Sequence, residues 1–374
     1  MDKLLPRSAE ELAEALAAAG AKKHPVRLGG AFSKDRMAGP VAPAGVVIST
    51  SAMNRVLDYE PRDLTISVEA GVKWADLTAA LAANGQMIPL DPPFFDTATT
   101  GGVVAANTSG PRRRAYGSAR DVVIGMTFTT LEGKIIKSGG MVVKNVAGLD
   151  MAKLMIGSFG TLAAIAVVNF KLAPAPPATR TFILRFPSLD DAISARDRLL
   201  QGVLQPTALD LVNPSAAALL GVEGFCLLVQ TGGNPAVLDR YSREFTGADV
   251  PDDNAAERLW SRVRELTPLF LAEHPAGAVV RISTTLEGVK AAMRTFQGPA
   301  LARAGNGVVY GYFADSVAAS LDGHRGVIEF APEARKAALD LWPAPGSDFV
   351  IMEKIKQLFD PEHLLNRGRL YGRI

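Results

Sequence analysis

The cluster Pro174-Ala175-Pro176-Pro177 constrains this chain most, because three prolines in four residues end strand pairing and stiffen the backbone at one point. The patterns on its two sides differ. Upstream, short β-branched or apolar runs at Pro25–Leu28 and Gly45–Ser49 and a long one at Thr161–Leu172 read as strands separated by glycine-rich stretches. Downstream, a strand at Thr181–Phe186, a helix at Leu189–Leu200, strands at Thr207–Val212 and Phe225–Gln230 and a helix at Pro235–Phe245 set a β-α-β-β-α rhythm. A helix at Ala255–Glu265, a strand at Ala278–Ser283, a helix from Leu286 and a strand at Gly307–Phe313 continue it. That rhythm predicts an α+β layer with its helices on one face. At 374 residues the chain exceeds what one core usually serves, so two domains are expected.

Local signals fill in the first half. Ser8-Ala9-Glu10-Glu11 has capping-box spacing, and the Ala/Leu run behind it predicts a helix ending at Gly20. Thr65–Ala70 alternates strictly and reads as a half-buried strand, followed by a helix through Trp74, Leu77 and Leu81. Val122–Thr130 and Lys134–Lys137 flank Leu131-Glu132-Gly133, a hairpin signal, and Asp150 is placed to cap a helix through Ile156. Near the end, Asp348–Phe359 reads as an amphipathic helix running into Asp360-Pro361.

Several classes of function are excluded early. Lys plus Arg number 40 against 38 Asp plus Glu, a net charge of +2 that carries no nucleic-acid signature. Cys226 is the only cysteine, so an internal disulfide and a cysteine-ligated iron–sulfur cluster are both ruled out. His24, His274, His324 and His363 lack any paired spacing, and no metal site is expected. The start, MDKLLPRSAEELAEAL, lacks an apolar core of the secretory type, and the longest apolar stretch, near 161–170, is too short to span a bilayer. The expectation is a cytoplasmic protein without a transmembrane segment.

Three glycine-rich clusters remain. In Leu28-Gly-Gly-Ala-Phe-Ser-Lys34 the glycines let successive N–H groups converge on a phosphate, and Ser33 and Lys34 add a hydroxyl and a cation. An ordinary turn between strands fits the same residues. The nearest approach to a dinucleotide fingerprint, Gly305-Asn306-Gly307, leads into a strand, so a Rossmann site is not supported. In TTGGVVAANTSGPRRRAYG, residues 99–117, the small side chains of Gly101, Gly102, Ala105, Ala106, Ser109 and Gly110 let a flat ring or a pyrophosphate approach the backbone, while Thr99, Thr100 and Asn107 supply polar edges. A small-residue helix packed in a tight core fits equally. The third cluster, Lys144-Asn145-Val146-Ala147-Gly148-Leu149-Asp150 with Gly157-Ser158-Phe159-Gly160-Thr161-Leu162, reads either as a binding loop or as a capped helix with a glycine-rich end.

Taken together, the order and wording of these clusters resemble the flavin-binding domain of the vanillyl-alcohol oxidase / p-cresol methylhydroxylase family of FAD-linked oxidases. The tail Phe359-Asp-Pro-Glu-His-Leu-Leu-Asn-Arg-Gly-Arg369 is similar to that family's terminal F-D-P-x-x-x-x-N-P-G-K/R element, with Arg367 in place of the proline. Within the family, the phrases SGPRRRAYG and KNVAGLD are most similar to the FAD-binding subunits of glycolate-oxidase-type complexes. The resemblance implies an α+β fold: a two-subdomain PCMH-type FAD-binding domain over 1–173, a small ferredoxin-like α+β cap over 178–345, and a segment over 346–374 that packs back on the first domain.

It also implies site residues. Gly29, Gly30, Ala31, Phe32 and Ser33 would form the pyrophosphate loop. Pro89, Leu90, Asp91, Thr100, Gly101, Gly102, Ala105, Ser109 and Gly110 would line the isoalloxazine and ribityl side. Tyr116, Gly117, Arg120, Asp121 and Val122 would follow the FAD, with Gly157, Gly160, Thr161 and Leu162 closing the adenosine side. The first glycine loop holds no histidine, so FAD is expected to be non-covalent. The implied activity is oxidation of a 2-hydroxy acid, glycolate to glyoxylate, by an oxidoreductase subunit partnered by a second FAD-linked oxidase subunit and an iron–sulfur subunit, with membrane association only through a partner. The family's histidine cluster for substrate is missing. Arg113, Arg114 and Lys144 are the weak candidates left for catalysis, with Arg281 expected at a strand end facing solvent.

Overall fold

The computed structural model describes residues 2–142, 149–315 and 324–374. Two sheets build the first half. Asp2–Leu4, Val46–Ser49 and Val26–Gly29 form a parallel three-stranded sheet in that order. Val56–Glu60, Thr65–Glu69, Ala164–Lys171, Val123–Thr129 and Ile135–Gly139 form an antiparallel five-stranded one. The expected hairpin is present, with Phe128 opposite Ile136.

Three local expectations need correction. Thr65–Glu69 is buried at every position rather than half-buried. Ile66 and Val68 enter the core around Trp74 and Phe170, and on the other face Ser67 donates to Asn169 Oδ1 at 2.7 Å while Glu69 pairs with Arg55. Hydroxyl and carboxylate groups with partners can be buried as well as methyls. The first helix, Ala9–Ala21, is capped by Ser8, whose Oγ accepts from Glu11 N at 3.2 Å, but it runs past Gly20. The left-handed residue is Lys23 (φ 52°). Gly20 is needed for closeness instead, since a Cβ there would lie 2.9 Å from the carbonyl of Leu131. Asp150 does not cap its helix, which spans Ala152–Met155 behind Met151.

The second half is one antiparallel sheet of seven strands in the order Ala178–Phe186, Phe225–Gly233, Ala208–Val212, Ala300–Arg303, Val308–Phe313, Ala278–Ser283 and Gly326–Phe330. Its helices cover both faces, not one. Helices Leu189–Gln201, Pro235–Glu244 and Val289–Arg294 pack on the face that carries Leu209, Leu211 and Val280. The opposite face, with Ala208, Val212 and Val279, meets helices Pro214–Leu220, Asp253–Arg264 and Leu266–Glu273, and also Met37, Phe94 and Ala106 of the first half. A sheet covered on both sides buries alternate residues of both parities, which is why Ala208–Val212 is buried throughout.

The last helix, Phe349–Phe359, returns to the first half: Ile355 and Phe359 pack on its core, and the Phe359 ring centroid lies 6.4 Å from that of Phe128. Beyond it Leu364 and Leu365 enter the core beside Leu12 and Ile48.

Candidate functional site

A cleft of about 990 Å³ opens where strand Val26–Gly29 ends. Asn366 builds one wall by acting as an extra strand. Its Oδ1 accepts from Leu28 N at 2.8 Å, and its Nδ2 donates to the carbonyls of Leu28 at 2.9 Å and Phe159 at 2.7 Å. The chain then turns sharply. Phe32 has φ 56°, and its ring sits where a Gly29 side chain would be, 2.6 Å from an ideal Cβ, with the Arg27 guanidinium 4.7 Å above it. Gly30 lies so close to Thr99 that a Cβ would fall 2.0 Å from its Oγ1. Among the described residues, the backbone N–H groups of Ala31, Phe32, Ser33 and Lys34 donate to no protein acceptor. Uncommitted N–H groups on consecutive residues form a concavity suited to an anion.

Helix Thr100–Ala106 forms the facing wall. Its first N–H groups are taken: Thr100 donates to Val72 O, Gly101 to Ala70 O and Gly102 to Thr99 Oγ1. The two glycines of the pair meet different surroundings. A Cβ on Gly101 would come 2.7 Å from the Cβ of Ala70, so that side is tight packing. One on Gly102 would meet only Thr99 Oγ1 at 3.2 Å and project toward the cleft, with Ala105 one turn on.

A second cleft, of about 1460 Å³, lies between the halves, and Ala106 and Phe159 line both clefts. Alternate residues of the large sheet supply its floor. Arg303 stands opposite Asp210 and donates to its carboxylate; Arg281 stands opposite Tyr310. Arg281 therefore faces this cleft rather than bulk solvent, donating through Nε to Glu329 Oε1 at 3.1 Å and through Nη1 to Ser283 Oγ at 2.7 Å. Burial lifts the Tyr310 hydroxyl to about 12, so it stays neutral, and burial also raises the Glu329 carboxyl despite Arg281 beside it. Three polar atoms of residues lining this cleft, Asn107 Oδ1, Thr108 Oγ1 and Arg303 Nε, are buried without partners among the described residues. Such atoms cost free energy unless a polar ligand or water completes them.

The arginine triplet divides three ways. Arg112 is half-buried against Asp91, with Nε 2.9 Å from the carboxylate; burial alone would raise Asp91, and Arg112 more than offsets this, holding it below the usual range. Arg113 lines the second cleft, where among the described residues its guanidinium makes a single 3.4 Å contact, from Nη1 to Ser109 Oγ. Arg114 crosses to the other half, donating to Gln205 Oε1 at 3.1 Å with its stem in the space left by Gly305. Proximity in sequence does not make them one patch.

Of the other residues singled out from the sequence, Gly29, Gly30, Ala31, Phe32, Ser33, Gly101, Gly102, Ala105 and Gly160 line the first cleft, and Asp91, Ser109 and Gly157 the second. Pro89, Leu90, Gly110, Tyr116, Gly117, Arg120, Asp121 and Val122 line neither. Gly110 packs on Asp91, Arg120 donates to Lys153 O, and Asp121 accepts from Ser118 N at 2.8 Å to cap its own turn. Thr100, Thr161 and Leu162 are buried behind the walls, where Thr100 Oγ1 donates to Val72 O and Thr161 Oγ1 to Ser158 O. Lys144 lies outside the described residues. Arg303, Tyr310, Tyr312 and Glu329 were missed; their one signal was polar side chains at alternate positions of otherwise apolar strands. None of the four histidines lines either cleft, and no metal-binding group occurs among the described residues. No helix among them is long and apolar enough to cross a membrane.

Two sheets bearing a glycine-rich cleft, capped by a large antiparallel sheet across a second cleft, define the PCMH-type flavoprotein fold. The 4-ethylphenol oxidase of Gulosibacter chungangensis superposes with a TM-score of 0.70 at 15% identity, over 99% of this chain and 89% of that one. Residues 3–139 match the FAD binding domain family and residues 175–321 the family of FAD linked oxidases, C-terminal domain. Glycolate oxidase subunit GlcE of Escherichia coli is 31% identical over 94% of both chains. Glycolate oxidase subunit GlcD of Bacillus subtilis is 29% identical over 63% of this chain and 50% of its own. The chain belongs to the FAD-linked oxidases, and FAD is its cofactor.

Proposed function

We propose that this chain is the FAD-binding subunit of a glycolate-oxidase-type complex, oxidising a small 2-hydroxy acid, glycolate to glyoxylate, with electrons leaving to an iron–sulfur partner. The observation that carries this reading is the adjacency of the two clefts, which share Ala106 and Phe159 in their linings, one walled by free N–H groups and small residues, the other by arginines. Similarity to GlcE over nearly the full length, and to GlcD, supports a second oxidase subunit as companion. A single cysteine leaves the cluster to another chain.

The residues fit the cofactor. Gly29, Gly30, Ala31, Phe32 and Ser33 would hold the diphosphate through backbone N–H groups, and Gly102 and Ala105 present a face without bulk to the ring and ribityl chain, with Ser109 and Gly157 at the second cleft and Gly160 beside the first loop. Bound flavin supplies two-electron acceptance from the substrate carbon. Arg113, the least committed guanidinium of the second cleft, would hold the substrate carboxylate. Arg281 and Arg303 are already neutralised by Glu329 and Asp210, so the cleft suits one carboxylate better than two. In this reading residues 1–173 hold the cofactor, 178–345 cap it and 346–374 close its far wall.

The test uses the chain alone and co-expressed with its companion subunits. The purified chain should be yellow and release its flavin on acid denaturation; flavin left in the precipitate would refute non-covalent binding. Glycolate should reduce a dye only when the companions are present. A colourless protein overturns the proposal, and a chain that reduces dye rapidly by itself replaces the subunit with a self-sufficient dehydrogenase.

A further inference from the structure

Lys34 carries the last of the free N–H groups of the first cleft and helps to line it, yet only 9% of the residue is exposed. Among the described residues its ammonium has no hydrogen-bond acceptor and no carboxylate within 4 Å; the Phe94 ring centroid lies 5.7 Å from Nζ. Several charged groups of the same loop and its surroundings have other partners. Arg27 pairs with Asp35. Arg369 donates to the carbonyls of Lys34, Asp35 and Gly39, and Lys336 to those of Asp35 and Gly39 while pairing with Glu333. Glu265, the carboxylate whose charge acts on Lys34, accepts from Phe94 N and Phe95 N and pairs with Arg264.

An uncompensated buried ammonium is costly, and the usual remedies are a partner or loss of the proton. Burial moves this one down to about 8, with Glu265 only partly opposing the shift. A group held at that cost, beside an anion-shaped loop, is explained if its partner arrives with the ligand. Resting on the cofactor reading above, we propose that Lys34 is the counter-charge of the bound flavin dinucleotide's diphosphate, completing the N–H loop with an ion pair that the described residues do not give it.

The coupling to pH follows from the sign. In the free protein the ammonium loses its proton near 8, and an adjacent diphosphate raises that value, so binding takes up a proton above it. The experiment strips the flavin and titrates FAD back, following fluorescence quenching below and above pH 8, with wild type, Lys34→Met and Lys34→Arg. Wild-type affinity should fall by about tenfold per pH unit above that point. Lys34→Met should bind at least about tenfold more weakly at neutral pH with no such slope, and Lys34→Arg should bind tightly and stay flat. Unfolding of the apo-proteins guards the result: Lys34→Met should melt no lower than wild type, since it loses an unpaired buried charge. Equal FAD affinity in Lys34→Met, or a slope that persists in it, overturns the proposal. A wild type that takes up no flavin at all would instead sink the functional reading beneath it.

Discussion

The Nζ of Lys356 lies 2.6 Å from Oδ2 of Asp360, one helical turn away, and neither side chain reaches solvent. Lys356 also donates to the carbonyls of Thr161 at 2.7 Å and Leu365, and Asp360 accepts from the N–H groups of Leu364 and Leu365 at 2.9 and 2.8 Å. The pair thereby fastens the end of the chain to the cleft wall and brings Asn366 onto Leu28. Removing one partner leaves the other charge buried alone, so Asp360→Ala should cost roughly 3–5 kcal/mol. Urea unfolding measures this directly. Flavin content should fall with it, and unchanged stability would show that the pair is dispensable.

The two adjacent glycines of the Thr100–Ala106 helix should separate folding from binding. Gly101→Ala forces a methyl onto Ala70 and should destabilise by about 1–3 kcal/mol. Gly102→Ala removes a helical glycine at the cleft and should leave the apo-protein as stable or up to about 1 kcal/mol more so. Gly102→Leu should fold yet bind little flavin. Thermal unfolding and the ratio of visible to ultraviolet absorbance read the two effects apart.

The three arginines should give three phenotypes. Arg112→Ala strands the buried Asp91 carboxylate and should lower stability by about 3 kcal/mol. Arg113→Ala, at an exposed position, should stay within about 0.5 kcal/mol of wild type and raise KM for the hydroxy acid in the complex. Arg114→Ala should leave flavin in place and loosen the contact with Gln205, seen as faster proteolysis between the halves. Identical behaviour of all three would mean that they act as one patch.

Apo-protein stability should carry the signature of Lys34. Its folded value, about 8, lies below the ordinary 10.5, so between these the unfolded chain binds more protons and stability rises with pH. At neutral pH the charged, buried amine opposes folding by up to about 3 kcal/mol. Lys34→Met should therefore be more stable than wild type near neutrality, with the difference shrinking as pH climbs through that window. Chemical denaturation across the range checks the convergence.

Much of the fold was legible because its elements are written locally. The prolines at 174–177 separated two patterns, Ser8 announced its helix, and Leu131-Glu132-Gly133 announced its hairpin. The lining of the first cleft was legible for the same reason: glycines and small residues that leave open space and free backbone N–H groups act within a few positions of each other. What failed locally failed for tertiary reasons. Gly20 looked like a helix end but is a contact point for Leu131, and Thr65–Glu69 looked half-buried until both of its faces found partners.

The sequence by itself determined the glycine-rich loop after Leu28, the strand that leads into it and the absence of a cluster-binding cysteine set. Only the tertiary structure decided that Arg112, Arg113 and Arg114 part company, that Asn366 serves as a strand neighbour for Leu28, and that Arg281, Arg303, Tyr310 and Glu329 share one floor. The physical reason is range. Backbone preferences are set by neighbours in the chain, whereas a charge buried in a two-faced sheet is settled by whatever strand or domain lies opposite, and that register is chosen by the whole core.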